Sequence, residues 1–187
     1  MTLKHKYILL LVILFLIPSA KSAETLFLYQ GSLNRKIKIE ELYEFKKTKI
    51  PSNKLKNIIK ITGQNEKDLY KILSYEIEIP LKASSKLMNS KIGEVFLTRL
   101  SKIIHPNKIS NKIIGTKALR SGILLSSYKN NQKVNLIDFF KAYPNKNIAI
   151  NLNALRKTLK KAESLKELIK FYSNSPFKKL KDGSSSI

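Results

Sequence analysis

Residues 87–128, LMNSKIGEVFLTRLSKIIHPNKISNKIIGTKALRSGILLSSY, set the architecture that the rest of the chain follows. Their apolar residues recur at steps of three and four, which predicts two amphipathic helices joined by the polar link His105-Pro106-Asn107. The first helix is predicted from Ser90 to His105, because the residue before Pro106 disfavours the α region. The apolar stripe expected to be buried on it comprises Ile92, Val95, Phe96, Leu100, Ile103 and Ile104.

The second helix is predicted from Asn111, a good N-cap, to Tyr128. Its expected buried line comprises Ile114, Ala118, Ser121, Leu125 and Tyr128, with the region from Leu100 to Leu125 as core. Gly115 and Gly122 lie on one face, and a glycine inside a helix costs up to about 1 kcal/mol relative to alanine. Two of them favour close approach of another helix. The alternative is that mutational drift in an AT-rich coding sequence left small residues there.

Four blocks of sequence occur in order: LFLYQGSL at residues 26–33, KIGEVFLTRL at 91–100, ALR at 118–120, and VNLIDFF with the following Tyr-Pro at 134–144. Together they resemble, over about residues 24–153, a cyanobacterial domain family of unknown function. In that family the domain usually precedes an α/β-hydrolase domain. The resemblance implies a stand-alone copy of this hydrolase-associated domain without the hydrolase.

The start of the chain has the order of a secretory signal. Lys4 and Lys6 precede the apolar segment Tyr7–Ile17, and small residues follow up to Ser22, so residues 1–22 are predicted to be removed. Cleavage after Ala23 is the second choice. The apolar segment is well below the roughly 20 residues that span a bilayer, although an uncleaved anchor is the alternative. The mature protein is therefore expected in the periplasm, secreted or in a thylakoid lumen, without a membrane span.

Residues 23–172 are predicted to form one mainly α-helical domain with a small antiparallel β element. A hairpin of Thr25–Tyr29 and Arg35–Ile39 starts it, and a third strand is expected near residues 147–150. The other predicted helices are Glu40–Lys46, Asn53–Ile61, Asn65–Ser74, Ser84–Met88, Leu136–Ala142 and Asn151–Tyr172. Residues 173–187 read as a flexible basic tail.

No enzyme signature emerges from the residues that carry chemistry. The chain has no cysteine and no Gly-x-Ser-x-Gly nucleophile elbow. His105 is the one histidine after residue 22, and it is interpreted as a helix cap or surface residue, since a general base also needs an orienting partner. The cluster Glu40, Glu41 and Glu44 is interpreted as a solvated helix start. We expect a non-catalytic module with no metal and no cofactor; an enzyme with an unrecognised site is the alternative.

The chain is strongly basic, with a formal net charge of +23. The candidate binding face is the basic side of the long C-terminal helix: Arg156, Lys157, Lys160, Lys161 and Lys170. Its expected partners are an anionic membrane surface or an acidic polysaccharide, and the resemblance adds a separately encoded hydrolase. Nucleic acid is not favoured, because no aromatics are interleaved as stacking platforms. The alternative is a solvated surface that reflects lysine-rich codon usage.

Overall fold

The computed structural model describes residues 22–63, 65–109 and 111–161, with side chains as far as Thr158. The helices in this part are α1 Ile39–Thr48, α2 Asn53–Thr62, α3 Glu66–Ser74, α4 Leu81–Met88, α5 Lys91–Ser101, α6 Lys112–Lys129, α7 Leu136–Ala142 and α8 Leu152–Lys161. The strands are β1 Thr25–Gln30, β2 Leu33–Lys38, β3 Ile77–Glu78, β4 Ile104–Pro106, β5 Lys133–Val134 and β6 Asn147–Asn151. The predicted class, mainly helical with a small β element, is confirmed. The signal up to Lys21, the tail and the predicted helix beyond Lys161 lie outside the described residues.

The larger sheet has the strand order β2-β1-β6-β4. The predicted hairpin is confirmed, with Leu26 opposite Ile37 in antiparallel register and Gly31 in its turn at a φ of 58°. The predicted third strand is also present, but β6 runs parallel to β1, with Leu26 beside Ile148. The sheet is therefore mixed and not antiparallel throughout, because the chain returns to β1 after crossing the helical layer. A second small sheet pairs β3 with β5.

One face of the larger sheet supplies much of the core. Leu26 and Leu28 of β1 lie beside Ile148 and Ile150 of β6, and all four are buried. This alternation follows from the two-residue period of a strand. The helices cover that core with fully buried side chains from several elements, among them Phe45, Leu55, Leu73, Met88, Leu97, Leu119, Ile137, Phe140 and Tyr143.

Local helix signals place most of the boundaries. Ser52 caps α2 by accepting a hydrogen bond from the Leu55 amide, and Gly63 ends it in the left-handed region at a φ of 68°. Asn111 caps α6 by accepting from the Ile113 and Ile114 amides, as predicted. The helix expected over Leu136–Ala142 has those bounds.

The end of α5 differs from its prediction. The helix stops at Ser101, and Ile104–Pro106, predicted as a helix end and polar link, is strand β4. Backbone hydrogen bonds draw this segment onto β6: the Asn151 amide donates to the Ile103 carbonyl at 2.8 Å, and the Asn107 amide to the Asn147 carbonyl at 2.9 Å. The open edge of β6 thus pairs with Ile104–Pro106, although the apolar spacing of these residues would also have allowed α5 to continue.

The predicted buried faces of the central pair are confirmed only in part. Ala118 is buried, and the predicted residues that pack half-buried against the core are Phe96, Leu100, Ile103 and Ile104. On α5 the buried residues are Gly93, Leu97 and Ser101, whereas Ile92 is 68% exposed and Val95 is exposed as well. On α6 the buried face comprises Gly115, Thr116, Ala118, Leu119, Gly122, Ile123, Ser126 and Ser127. The expected members Ile114, Ser121 and Tyr128 face outward, and Leu100 and Leu125 are only half-buried. Small residues line the buried sides of α5 and α6 because they let neighbouring helices approach closely.

The close approach expected at the two glycines of α6 is confirmed. A Cβ atom on Gly115 would lie 3.0 Å from the Ser101 Cβ atom of α5. A Cβ atom on Gly122 would lie 3.1 Å from a ring carbon of Phe139 on α7. Both distances are shorter than an ordinary van der Waals contact, so these positions bring α5 and α7 against α6.

Candidate functional site

His105 is the one histidine among the described residues and therefore the candidate for an imidazole base. It lies in β4, half-buried, and not at a helix end as predicted. Its Nε2 atom is 2.9 Å from the Tyr29 hydroxyl, and its Nδ1 atom is 3.0 Å from the Pro106 carbonyl oxygen. In the neutral tautomer that satisfies both contacts, Nδ1–H donates to the carbonyl and the Tyr29 hydroxyl donates to Nε2. The basic nitrogen is thus engaged by a phenol.

Tyr29 did not stand out in the sequence. It lies on β1, two strands away from β4, and its ring meets the imidazole edge-on with centroids 5.8 Å apart. Only the sheet order brings the two together, since β6 lies between their strands. Their spacing along the chain carries no signal for this contact.

Three described glycines and the two buried serines of α6 occupy structural positions. Gly31 and Gly63 have positive φ in a turn and a helix cap, and Gly93 lies inside α5. Ser126 and Ser127, buried in α6, donate hydrogen bonds to backbone carbonyls. Neither a strand-to-helix elbow nor an activated serine occurs at these positions.

Glu40 and Glu41 of the glutamate cluster lie in the first turn of α1, where negative charge interacts favourably with the helix dipole, and Glu44 lies in the second turn. Glu41 accepts a hydrogen bond from Ser52 at 2.9 Å and pairs with Lys54 at 3.7 Å. Glu40 pairs with Lys141 at 3.9 Å. These carboxylates therefore tie α1 to α2 and α7. Within the described ranges, no cluster of three or more histidine or acidic side chains could hold a metal ion.

Only the start of the predicted basic face belongs to the described side chains. The Lys157 side chain is exposed, as expected. Arg156 is half-buried, and its guanidinium donates a hydrogen bond to the Ile61 carbonyl at the C-terminal end of α2. The side chains of Lys160, Lys161 and Lys170 lie outside the described residues. This hydrogen bond joins the lysine-rich helix α2 to the basic start of α8, two segments that are far apart in the sequence.

The outward face of α6, here called the α6 face, carries exposed apolar side chains at its two ends and the exposed polar residues Lys117 and Ser121 between them. Ile113 and Ile114 are exposed at one end, and Tyr128 is 70% exposed at the other. Leu124 and Leu125 between them are half-buried. This is much of the line that the sequence predicts as buried, so hydrophobic side chains at helical spacing here meet solvent.

These features describe a small, mainly helical domain with a mixed sheet and a helix face that exposes apolar side chains. The chain belongs to the family described as "Alpha/beta hydrolase of unknown function (DUF1400)", whose model matches residues 22–151. The resemblance drawn from the sequence is thereby confirmed. Comparisons with curated proteins and with solved structures give no match. None of the described helices is both long and apolar enough to cross a membrane.

Proposed function

We propose that this chain is an exported, non-catalytic module that binds another protein through the α6 face. The observation that carries the proposal is the exposure of Ile113, Ile114 and Tyr128 on a helix whose opposite side is the tight contact with α5 and α7. A helix that exposes apolar side chains on one face can dock that face into a groove of a partner. A tyrosine at the end of such a face is a frequent anchor of binding energy.

The non-catalytic part of the proposal is supported by the candidate base and nucleophiles. The basic nitrogen of His105 accepts from Tyr29, and among the described residues no carboxylate contacts the imidazole. The buried serines of α6 are turned to backbone carbonyls. The hydroxyl within hydrogen-bond reach of His105 is the phenol of Tyr29, and no described serine or threonine contacts the imidazole as the nucleophile of a hydrolase would.

The partner we propose is an α/β-hydrolase made as a separate chain. Membership in a family described as an α/β-hydrolase, together with the resemblance to a domain that precedes one, supports this choice. The lysines of the α6 face add a chemical criterion. Lys117 is exposed within the face and Lys112 and Lys129 at its ends, so the matching partner surface combines apolar and acidic side chains.

Site-specific crosslinking tests the proposal in cells that produce the whole chain. A photoreactive phenylalanine analogue replaces Tyr128, and a matched control carries it at Lys82, which is exposed on α4. We expect the Tyr128 position to capture a chain with a Gly-x-Ser-x-Gly elbow, and Ile114→Asp in the same chain to abolish that product. Identical products from both positions would overturn the proposed face. Ester hydrolysis by the purified chain that His105→Ala abolishes would overturn the non-catalytic assignment.

A further inference from the structure

The outward face of α2 differs in character from the α6 face. It presents Lys54, Lys56, Asn57, Lys60 and Ile61, whereas Leu55, Ile58 and Ile59 point into the core. The helix, with the sequence NKLKNIIKIT, contains no acidic residue. A full helix of the described domain is therefore polar and basic on the side that meets solvent, with one exposed isoleucine among the lysines.

Positive charge on this face is mostly uncompensated. Lys54 pairs with Glu41 at 3.7 Å, but within the described part of the chain Lys56 and Lys60 form no ion pair. Arg156 adds a further cation, because its guanidinium bonds to the Ile61 carbonyl and brings the start of α8 beside the end of α2. Lys157 follows it and is exposed. Two basic segments thus combine into one surface, which raises the local potential for an anionic partner.

Apolar residues stand at both ends of this basic helix. Ile50 is 73% exposed and precedes α2, and Ile61 is exposed in its last turn. Pro51, between Ile50 and the N-cap Ser52, is buried, so the backbone beside Ile50 is anchored. Isoleucines that protrude beside lysines are not required for binding a polysaccharide or for a solvated surface. They suit a boundary at which charged headgroups lie above hydrocarbon.

We propose that α2, together with the start of α8, forms a contact surface for an anionic lipid membrane. Lys56, Lys60 and Lys157 face the headgroup phosphates, and Ile50 and Ile61 enter the boundary between headgroups and acyl chains. The surface shares no residue with the α6 face and goes beyond the proposed function, since a module bound to a protein partner does not require a lipid contact.

Cosedimentation of the full chain with vesicles tests the electrostatic part. Equimolar phosphatidylglycerol and phosphatidylcholine vesicles serve as the probe, and pure phosphatidylcholine vesicles as the uncharged comparison. Lys56→Gln with Lys60→Gln is expected to weaken binding about thirtyfold, because each basic residue near an anionic surface contributes appreciably. Lys82→Gln with Lys86→Gln is the matched control: both lysines are exposed, four residues apart on one helix, and lie on α4. We expect that pair to change binding less than about threefold at 0.1 M salt, where charges beyond about 10 Å are screened.

The apolar part has its own matched pair. Ile50→Ser is expected to weaken binding about tenfold, the effect of withdrawing most of an isoleucine side chain from an apolar environment. Ile92→Ser, at a comparably exposed isoleucine on α5, should leave binding unchanged. All variants carry the same terminal segments, so differences between matched variants report on α2 alone, and unchanged melting temperatures confirm that each variant is folded.

Three results would overturn the inference: equal losses from both lysine pairs, equal binding by the Ile50 and Ile92 variants, or binding to a soluble sulfated polysaccharide without binding to the vesicles. Crosslinking from Tyr128 reports separately on the protein partner. Vesicle binding therefore fails or succeeds independently of the proposed function.

Discussion

Gly93→Ala should destabilise this protein, although alanine normally stabilises a helix by up to about 1 kcal/mol relative to glycine. Gly93 is buried in the first turn of α5, where the chain has just turned from α4. A Cβ atom on it would lie 2.0 Å from the Leu87 carbonyl oxygen and 2.9 Å from the Met88 Cα atom. Both obstacles are backbone, so no side-chain rotation relieves them.

The Leu87 carbonyl oxygen is held in place from the other side. It accepts from the Ser90 amide at 3.0 Å and from the Ser90 hydroxyl at 2.7 Å, and that hydroxyl in turn caps α5 by accepting from the Gly93 amide. Moving the carbonyl sacrifices the cap, which is worth about 1 kcal/mol, and a hydrogen bond worth about 1 kcal/mol. Overpacking adds about 1–3 kcal/mol. After the helix preference of alanine is subtracted, we expect a net loss of about 2–4 kcal/mol.

Urea unfolding followed by circular dichroism measures the free energy of unfolding of parent and variant. Ser121→Ala, on the exposed side of α6, is the control, because it changes helix propensity without a packing cost and should shift stability by less than about 0.5 kcal/mol. A Gly93→Ala protein as stable as the parent, with an unchanged denaturant slope, would refute the packing of α4 against the start of α5.

Three further results are expected. Leu97→Ala, at a fully buried position, should lower the free energy of unfolding by about 2–5 kcal/mol. Leu125→Ala, at a half-buried position, should lower it by clearly less. Equal losses of stability in urea unfolding would contradict the assigned helix faces. Burial raises the pKa of Tyr143, whose hydroxyl has no hydrogen-bond partner among the described residues. Above about pH 10 this tyrosine therefore ionises in the unfolded state while it stays protonated in the folded state, so the free energy of unfolding falls as the pH rises further. In the Tyr143→Phe variant the free energy of unfolding should fall less steeply with pH, by up to about 1.4 kcal/mol per pH unit. Identical pH profiles for the two proteins would contradict this role of Tyr143. Sequencing of the exported protein should begin at Ala23, which is buried in the core; a start at Glu24 would show that the domain tolerates its removal.

Sequence reasoning succeeded where the signal is local. The cap at Asn111 and the bounds of the helix Leu136–Ala142 each depend on a few neighbouring residues, so they can be predicted from the chain itself. The hairpin was readable for the same reason. Its parallel partner β6 was recognisable as a strand, but its direction relative to β1 depends on the path of all the intervening helices.

The errors arose where tertiary packing overrides hydrophobicity. The α5–α6 contact places Ser101 against Gly115, and the apolar pattern gives no signal for a buried serine on α5. The larger side chains on those helices were therefore predicted as core, although Ile92 and Tyr128 face outward. The α6 face coincides with this error, because Ile114 and Tyr128 were predicted to be buried and are exposed. The contact of His105 with Tyr29 needed the sheet order, which no local pattern encodes.

The parallel pairing of β1 with β6 has a consequence for how the molecule is made. β1 lies near the start of the described chain and β6 near its end, so the central strand pair is among its most non-local contacts. Non-local pairings form slowly, because the loop between them must close before any contact rewards it. A nascent chain that has not yet reached Asn147 can form the hairpin and individual helices but cannot close the sheet. Completion of the fold therefore follows synthesis of β6, which leaves a period in which the growing chain is still unfolded at its centre.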